Sequence, residues 1–80
     1  MWYVYILRSE NFPDQTYVGV TADLKKRMNS HNAGKSSHTA KFKPWALIWY
    51  SAFVNKHKAL SFETYLKSHS GKAFASKRLT

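Results

Sequence analysis

Two segments dense in aromatic and β-branched residues, Trp2–Leu7 and Thr16–Thr21, lie close together at the start of the chain. Between them, Ser9–Gln15 carries Asn, Pro and Asp, all of which favour turns. Strand-forming segments joined by so short a loop pair naturally as an antiparallel hairpin. Strand parity then sorts the side chains. Tyr3, Tyr5 and Leu7 share one face, and Trp2, Val4 and Ile6 the other. Tyr17 and Gly19 share a face opposite Val18 and Val20. The loop length is compatible with Tyr5 and Tyr17 on the same side of the sheet. The register stays open, because a bulge near the loop would shift it.

Downstream of the hairpin the pattern alternates. Thr21 is an expected N-cap for a helix with Asp23 in its first turn, running through Leu24, Arg27, Met28 and His31 and ending near Gly34. Ala33–Pro44 reads as an irregular basic loop with room for a single helical turn. Trp45–Phe53 reads as a third strand whose start is set by Pro44. Asn55 caps a second helix through about His69, with Ala59, Phe62 and Leu66 at helical spacing. Ser70-Gly71 is expected to break it, and Ala73–Leu79 to form a short last helix anchored by Phe74. The expected fold is α+β, in the order β-β-α-β-α-α, with helices flanking a small three-stranded antiparallel sheet.

Eighty residues are expected to form a single domain spanning 1–80. Five Tyr, five Phe and three Trp let so short a chain close a core, because each aromatic buries a large area. The absence of cysteine rules out disulfides and Cys-ligated zinc. No signal-peptide pattern or membrane-length apolar run is present, so the expected location is the cytoplasm. Thirteen Lys and Arg against four Asp and Glu leave a net charge of +9, which favours a polyanionic partner, most commonly nucleic acid. No helix sets a basic face against a continuous apolar one, which argues against an anionic membrane surface.

The polar residues within the pattern are the candidates for chemistry. Arg27 and His31 are i,i+4 neighbours on a stripe with Leu24 and Met28, so their side chains can reach one place. Each also has a plain reading: Arg27 lies along the surface, and His31 is a satisfied, partly buried histidine. Glu63 is the only carboxylate after Asp23 and borders the apolar face of the second long helix. It suits a hard-metal ligand, since Mg²⁺ often takes only one or two protein carboxylates. It also suits a simple surface pair with Lys67 at i+4. A tyrosine acting as a base needs a phenolate. With an ordinary pKa of about 10, ionisation near neutral pH needs about 4 kcal/mol of differential stabilisation. A strongly positive site with Arg27 and a metal would provide it, and transfer of the proton to His31 would ease the requirement. Lys35, Lys41 and Lys43 in the basic loop are best read as phosphate contacts.

These residues, taken in order, resemble the GIY-YIG endonuclease superfamily in its small freestanding bacterial form, over essentially the whole chain. The first motif stands as Tyr3-Val4-Tyr5, with Tyr where the family has Gly, a departure expected to be harmless if Tyr3 faces the core. The second stands as Tyr17-Val18-Gly19. Arg27 matches the family's helix arginine, His31 the position one turn later, and Glu63 the glutamate of the later helix. The resemblance implies hydrolysis of phosphodiesters with one divalent metal, Mg²⁺ or Mn²⁺, held by Glu63. Tyr5 would activate or orient water with support from Tyr17 and His31, and Arg27 would neutralise charge on the phosphoryl oxygens.

The expected function is therefore a metal-dependent DNA endonuclease with little sequence preference, relying on a protein partner for any target specificity. The alternatives are a nucleic-acid-binding module with little or no turnover, and an accessory subunit that cuts only when a partner delivers DNA.

Overall fold

The computed structural model describes residues 1–79. Its elements are β1 (Trp2–Ser9), β2 (Thr16–Thr21), α1 (Leu24–Asn32), α2 (Ser37–Ala40), β3 (Trp45–Phe53), α3 (Lys56–Lys67) and α4 (His69–Arg78). The three strands form one antiparallel sheet in the order β2-β1-β3. The expected fold class is observed, with α2 as the single turn for which the basic loop left room.

Register is what positions the site. Tyr5 pairs with Gly19 and Leu7 with Tyr17. Cross-strand partners point to the same side, so Tyr5 and Tyr17 do share a face. Against β3 the register slips between Ile6 and Leu7: Ile6 faces Trp49 and Leu7 faces Leu47, which makes Ile48 the extra residue of a bulge.

The central strand is covered on both sides. Val4, Tyr5, Ile6 and Leu7 are between 0% and 2% exposed, a run possible only where neither face meets water. Tyr5, Leu7 and Trp45 pack with Tyr17, Leu24, Met28 and Phe42 on the side that α1 covers. Val4 and Ile6 pack with Ala59 and Leu66, and with Trp2, Val18, Val20, Phe62, Ala75 and Leu79, on the side of α3 and α4.

The helix ends correct three expectations. The N-cap of α1 is Asp23, whose carboxylate accepts from the Lys26 amide at 3.0 Å. Thr21 instead accepts from the Asp23 amide at 3.1 Å, and so holds the turn that delivers the cap. Two capping-type side chains, separated by Ala22, compete here, and the carboxylate takes the helix end. At the other end Gly34 has φ of 76°, a conformation that favours glycine, and the Lys35 amide reaches back to the Ser30 carbonyl at 3.1 Å. Asn55 caps α3 as expected, accepting from the His57 amide at 2.7 Å and the Lys58 amide at 3.3 Å.

The break after α3 falls at Ser68, not at Ser70-Gly71. The Ser68 hydroxyl donates to the Tyr65 carbonyl at 2.6 Å and accepts from the Gly71 amide at 3.1 Å, so one residue closes α3 and opens α4. Gly71 lies inside the first turn of α4 because a Cβ there would run into the Tyr65 carbonyl. Nor is Phe74 a core anchor. It lies 37% exposed against Tyr65, while Ala75 and Leu79 make the core contacts.

The close approach at Gly71 sets a measurable cost. Gly71→Ala is expected to destabilise the fold by about 1–3 kcal/mol through overpacking against backbone that cannot rotate away. A urea midpoint equal to that of the unsubstituted protein would show that the α3–α4 junction yields.

Candidate active site

The absence of one side chain makes room for the site. The Tyr5 ring lies over Gly19, where any Cβ would collide with the phenol oxygen and its ring carbon. With that space open, Tyr5 Oη reaches His31 Nε2 at 2.9 Å. His31 projects from the last turn of α1 and is completely buried. Tyr17 closes the group, with its ring centroid 5.1 Å from the imidazole and 6.3 Å from the Tyr5 ring. On its far side His31 Nδ1 meets Thr39 Oγ1 at 2.7 Å.

The electrostatics of the pair run against a free phenolate. Burial pushes the Tyr5 pKa well above the ordinary tyrosine value, the neighbouring Tyr17 adds to the rise, and the Arg27 charge offsets only part of it. Glu63 is also felt at Tyr5 and raises it further. Arg27 by itself therefore does not bring the phenol toward ionisation: desolvation outweighs the guanidinium. His31 moves in the complementary direction. Burial and then Arg27 lower its pKa below the ordinary 6.5, so near neutral pH the imidazole is uncharged and able to accept a proton.

Arg27 does not lie within the apolar stripe of α1. It is exposed, and shares a groove with Trp2, Val20, Lys26 and Ser30. Trp2 and Val20 belong to the cluster on the α3 side, so Arg27 stands at the β2 edge where the two faces of the sheet meet. Glu63 comes from α3 on that other face. Its side chain is 18% exposed and ion-paired to Lys67 at 3.1 Å. Both charges are nevertheless felt at the Tyr5 phenol, although they come from helices on opposite sides of the sheet. Beside Tyr17 a cavity of about 420 Å³ opens between β2 and the α3–α4 pair, with Ile6, Val18 and Leu66 in its wall and Lys67 and Lys72 among its lining.

Tyr3 of the first motif does not face the core. It is half-buried and packs edge-on against Tyr50, ring centroids 6.2 Å apart, and Tyr50 itself is 53% exposed.

A metal would find a single carboxylate. Among the described residues no three His, Cys, Asp or Glu side chains come together. Such a donor set fails for structural zinc, but it fits a hard cation that keeps much of its water and completes its shell with phosphate oxygens. Glu63 would supply the carboxylate, with Lys67 released from its ion pair.

Lys35, Lys41 and Lys43 are all exposed on the segment between α1 and β3. Lys41 lies over the Phe42 ring at 5.6 Å, and Lys43 folds back beside Gly34. The same segment carries a buried residue that sequence reasoning missed. Thr39 is fully buried within a basic, polar stretch, and nothing in local composition or periodicity distinguishes it from Ser36, Ser37 or His38.

A family model described as the GIY-YIG catalytic domain matches residues 1–78, and the chain belongs to that family. Membership suggests a nuclease-type function for the matched domain. The chain is 39% identical over 67 residues to a UPF0213 protein of Vibrio campbellii, covering 82% of this chain and 62% of that one. It is 40% identical over 67 residues to a UPF0213 protein of Streptococcus pyogenes serotype M5, covering 81% and 70% respectively. The match thus spans less than two thirds of the Vibrio relative's length. The solution NMR structure of a UPF0213 protein from Bacillus halodurans superposes with a TM-score of 0.58 at 31% identity, covering 99% of this chain and 87% of that one. Among the described residues no helix is long and apolar enough to cross a membrane.

The buried neutral imidazole fixes the sign of a pH effect. Because the folded-state pKa of His31 lies below 6.5, the unfolded chain binds more protons as pH falls through the ordinary histidine range. The folded state carries no penalty above about pH 6.5 and a growing one below it. The urea midpoint should fall between about pH 7.5 and about pH 5.5, and His31→Gln should shrink that fall. An equal fall in both proteins would acquit His31.

Proposed function

We propose that the chain is a divalent-metal-dependent endonuclease that hydrolyses phosphodiester bonds in DNA with little sequence preference of its own. The observation that carries this reading is the 2.9 Å contact between the Tyr5 phenol and an imidazole kept neutral by burial and by Arg27. A phenol held in its protonated state cannot act as a base alone. It can act by exchange: a water proton passes to Tyr5 Oη while the phenol proton passes to His31 Nε2. The hydroxide so formed attacks phosphorus, and the bond from phosphorus to the leaving oxygen breaks.

The Arg27 charge acts on both partners of this exchange, and Arg27 has no ion pair among the described residues. It offsets negative charge as it builds on the phosphoryl oxygens. That same negative charge makes the imidazolium less costly at the moment it forms. Tyr17 packs against His31 and walls the phenol from bulk water on one side. Glu63 would hold a Mg²⁺ or Mn²⁺, which would supply Lewis acidity at the reacting phosphate. The exposed Lys35, Lys41 and Lys43 give salt-sensitive contact to the backbone, with affinity on the order of 10⁻⁴ to 10⁻⁶ M at physiological salt. A protein partner supplies target selection.

A second reading, a nucleic-acid-binding module without turnover, is favoured by one observation: Lys67 already occupies the Glu63 carboxylate at 3.1 Å. Nicking of supercoiled plasmid separates the two. In Mg²⁺ or Mn²⁺ the protein should nick, Glu63→Ala should abolish nicking, and Arg27→Ala should slow it by about 10²- to 10³-fold. Tyr5→Phe should slow it by about 10²- to 10⁴-fold. Salt-sensitive DNA binding with no metal-dependent product would establish the binding module instead, and undiminished nicking by purified Glu63→Ala would remove Glu63 from the mechanism.

A further inference from the structure

We propose that Thr39 is a positioning residue for His31, fixing the imidazole in the Nδ1–H tautomer so that its Nε2 lone pair faces the Tyr5 phenol; the catalytic consequence rests on the nuclease reading above. His31 Nδ1 and Thr39 Oγ1 are 2.7 Å apart, and both side chains are completely buried. A contact between an imidazole nitrogen and a hydroxyl can run in either direction, so the proton's place is set by what else each group meets. The Thr39 hydroxyl has a backbone acceptor within reach, the Ser36 carbonyl, at the long distance of 3.5 Å. With that proton directed to Ser36, Thr39 Oγ1 is left to accept from Nδ1–H. The opposite tautomer would turn Nε2–H toward the phenol oxygen. Tyr5 would then have no acceptor for its proton and His31 no lone pair to receive it.

The placement of Thr39 is built, not incidental. Trp45 Nε1 donates to the Thr39 carbonyl at 2.7 Å. Trp45 is in turn held at its backbone by Asn32, which accepts from its amide at 2.6 Å and donates to its carbonyl at 3.2 Å. The buried Ser9 hydroxyl donates to the Phe42 carbonyl at 2.7 Å, tying the end of β1 to the far side of the same segment. The last residue of α1, the end of β1 and the start of β3 thus converge on the short α2 turn. A turn of four residues would otherwise have little reason to hold one hydroxyl in a fixed place. Thr39 is also a neutral partner. Unlike a carboxylate it does not raise the basicity of the imidazole, so His31 stays unprotonated at rest beside Arg27.

The tautomer is directly readable. Long-range ¹H–¹⁵N spectra of the ¹⁵N-labelled protein should show His31 with a protonated Nδ1 and a bare Nε2. In Thr39→Val, of nearly equal volume but with no hydroxyl, that preference should be lost. Plasmid nicking should then fall by about 10- to 100-fold in kcat, the scale of losing the partner that orients a histidine. KM should hardly move, and Thr39→Ser should restore both readouts. Should the valine variant unfold, Thr39→Cys takes its place with the same readouts, since a thiol accepts hydrogen bonds weakly. A wild-type spectrum showing Nε2–H, or an unchanged tautomer in the hydroxyl-free variant, overturns the assignment whatever the nicking. A tautomer that depends on Thr39 in a protein that never nicks upholds the positioning role and overturns the nuclease reading alone.

Discussion

The Tyr5 ring rests on bare backbone at Gly19, and the organisation of this protein follows from that contact. An aromatic residue on the central strand of a three-stranded sheet would normally point straight into a helix and end there. Here the missing Cβ on the neighbouring strand lets the ring settle low, so its hydroxyl arrives at the level of His31. Leu24 and Met28 fill the remaining height between the sheet and α1. The sheet, α1 and α2 are thereby joined through a line of polar atoms that is buried at Tyr5, His31 and Thr39 alike. Such a line is tolerable in a core only when each member is satisfied, and once satisfied it specifies one arrangement.

The two faces of the sheet do different work. The α3–α4 side is an apolar core, with Val4, Ile6, Ala59 and Leu66 at its centre. The α1 side mixes Leu7 and Trp45 with the tyrosines. Because β2 is an edge strand, charges from both sides can meet around it. Arg27 arrives from α1 and Glu63 from α3, and the Tyr5 phenol feels both. A wider sheet would have separated the two helices by another strand and put the carboxylate out of reach.

Much of this was legible in the residues, and the limits are instructive. The hairpin was visible because aromatic and β-branched runs flank a loop too short for any other connection. Parity sorted the faces within each strand, but that Tyr5 and Tyr17 share one is decided by the pairing of Tyr5 with Gly19. The Asn55 cap was clear because no rival capping residue precedes it. At α1, Thr21 and Asp23 both qualified, and only the three-dimensional turn decides that one serves the other. Ser70-Gly71 looked like a breaker by composition, yet the glycine is there for the Tyr65 carbonyl, a contact between helices that no local rule encodes. Thr39 was invisible for a related reason: its partner is eight residues away on another element, and its neighbours are ordinary loop residues.

The least expected outcome concerns charge. A net charge of +9 raises the question of how much positive potential reaches the buried tyrosine. The structure keeps that potential outside. Most of the lysines are exposed, and what lies beneath them is a neutral phenol, a neutral imidazole and a neutral hydroxyl. Among the described residues Arg27 is the cation felt by both Tyr5 and His31. This division has a physical logic. A buried imidazolium beside a guanidinium would be destabilising in the resting protein, whereas a neutral relay lets the cation stand ready for a phosphate. Proton transfer along the relay creates a positive charge on His31 only as negative charge appears on the phosphoryl group. The cost of charging a buried histidine is then met within the reacting complex, and the fold never has to sustain it alone.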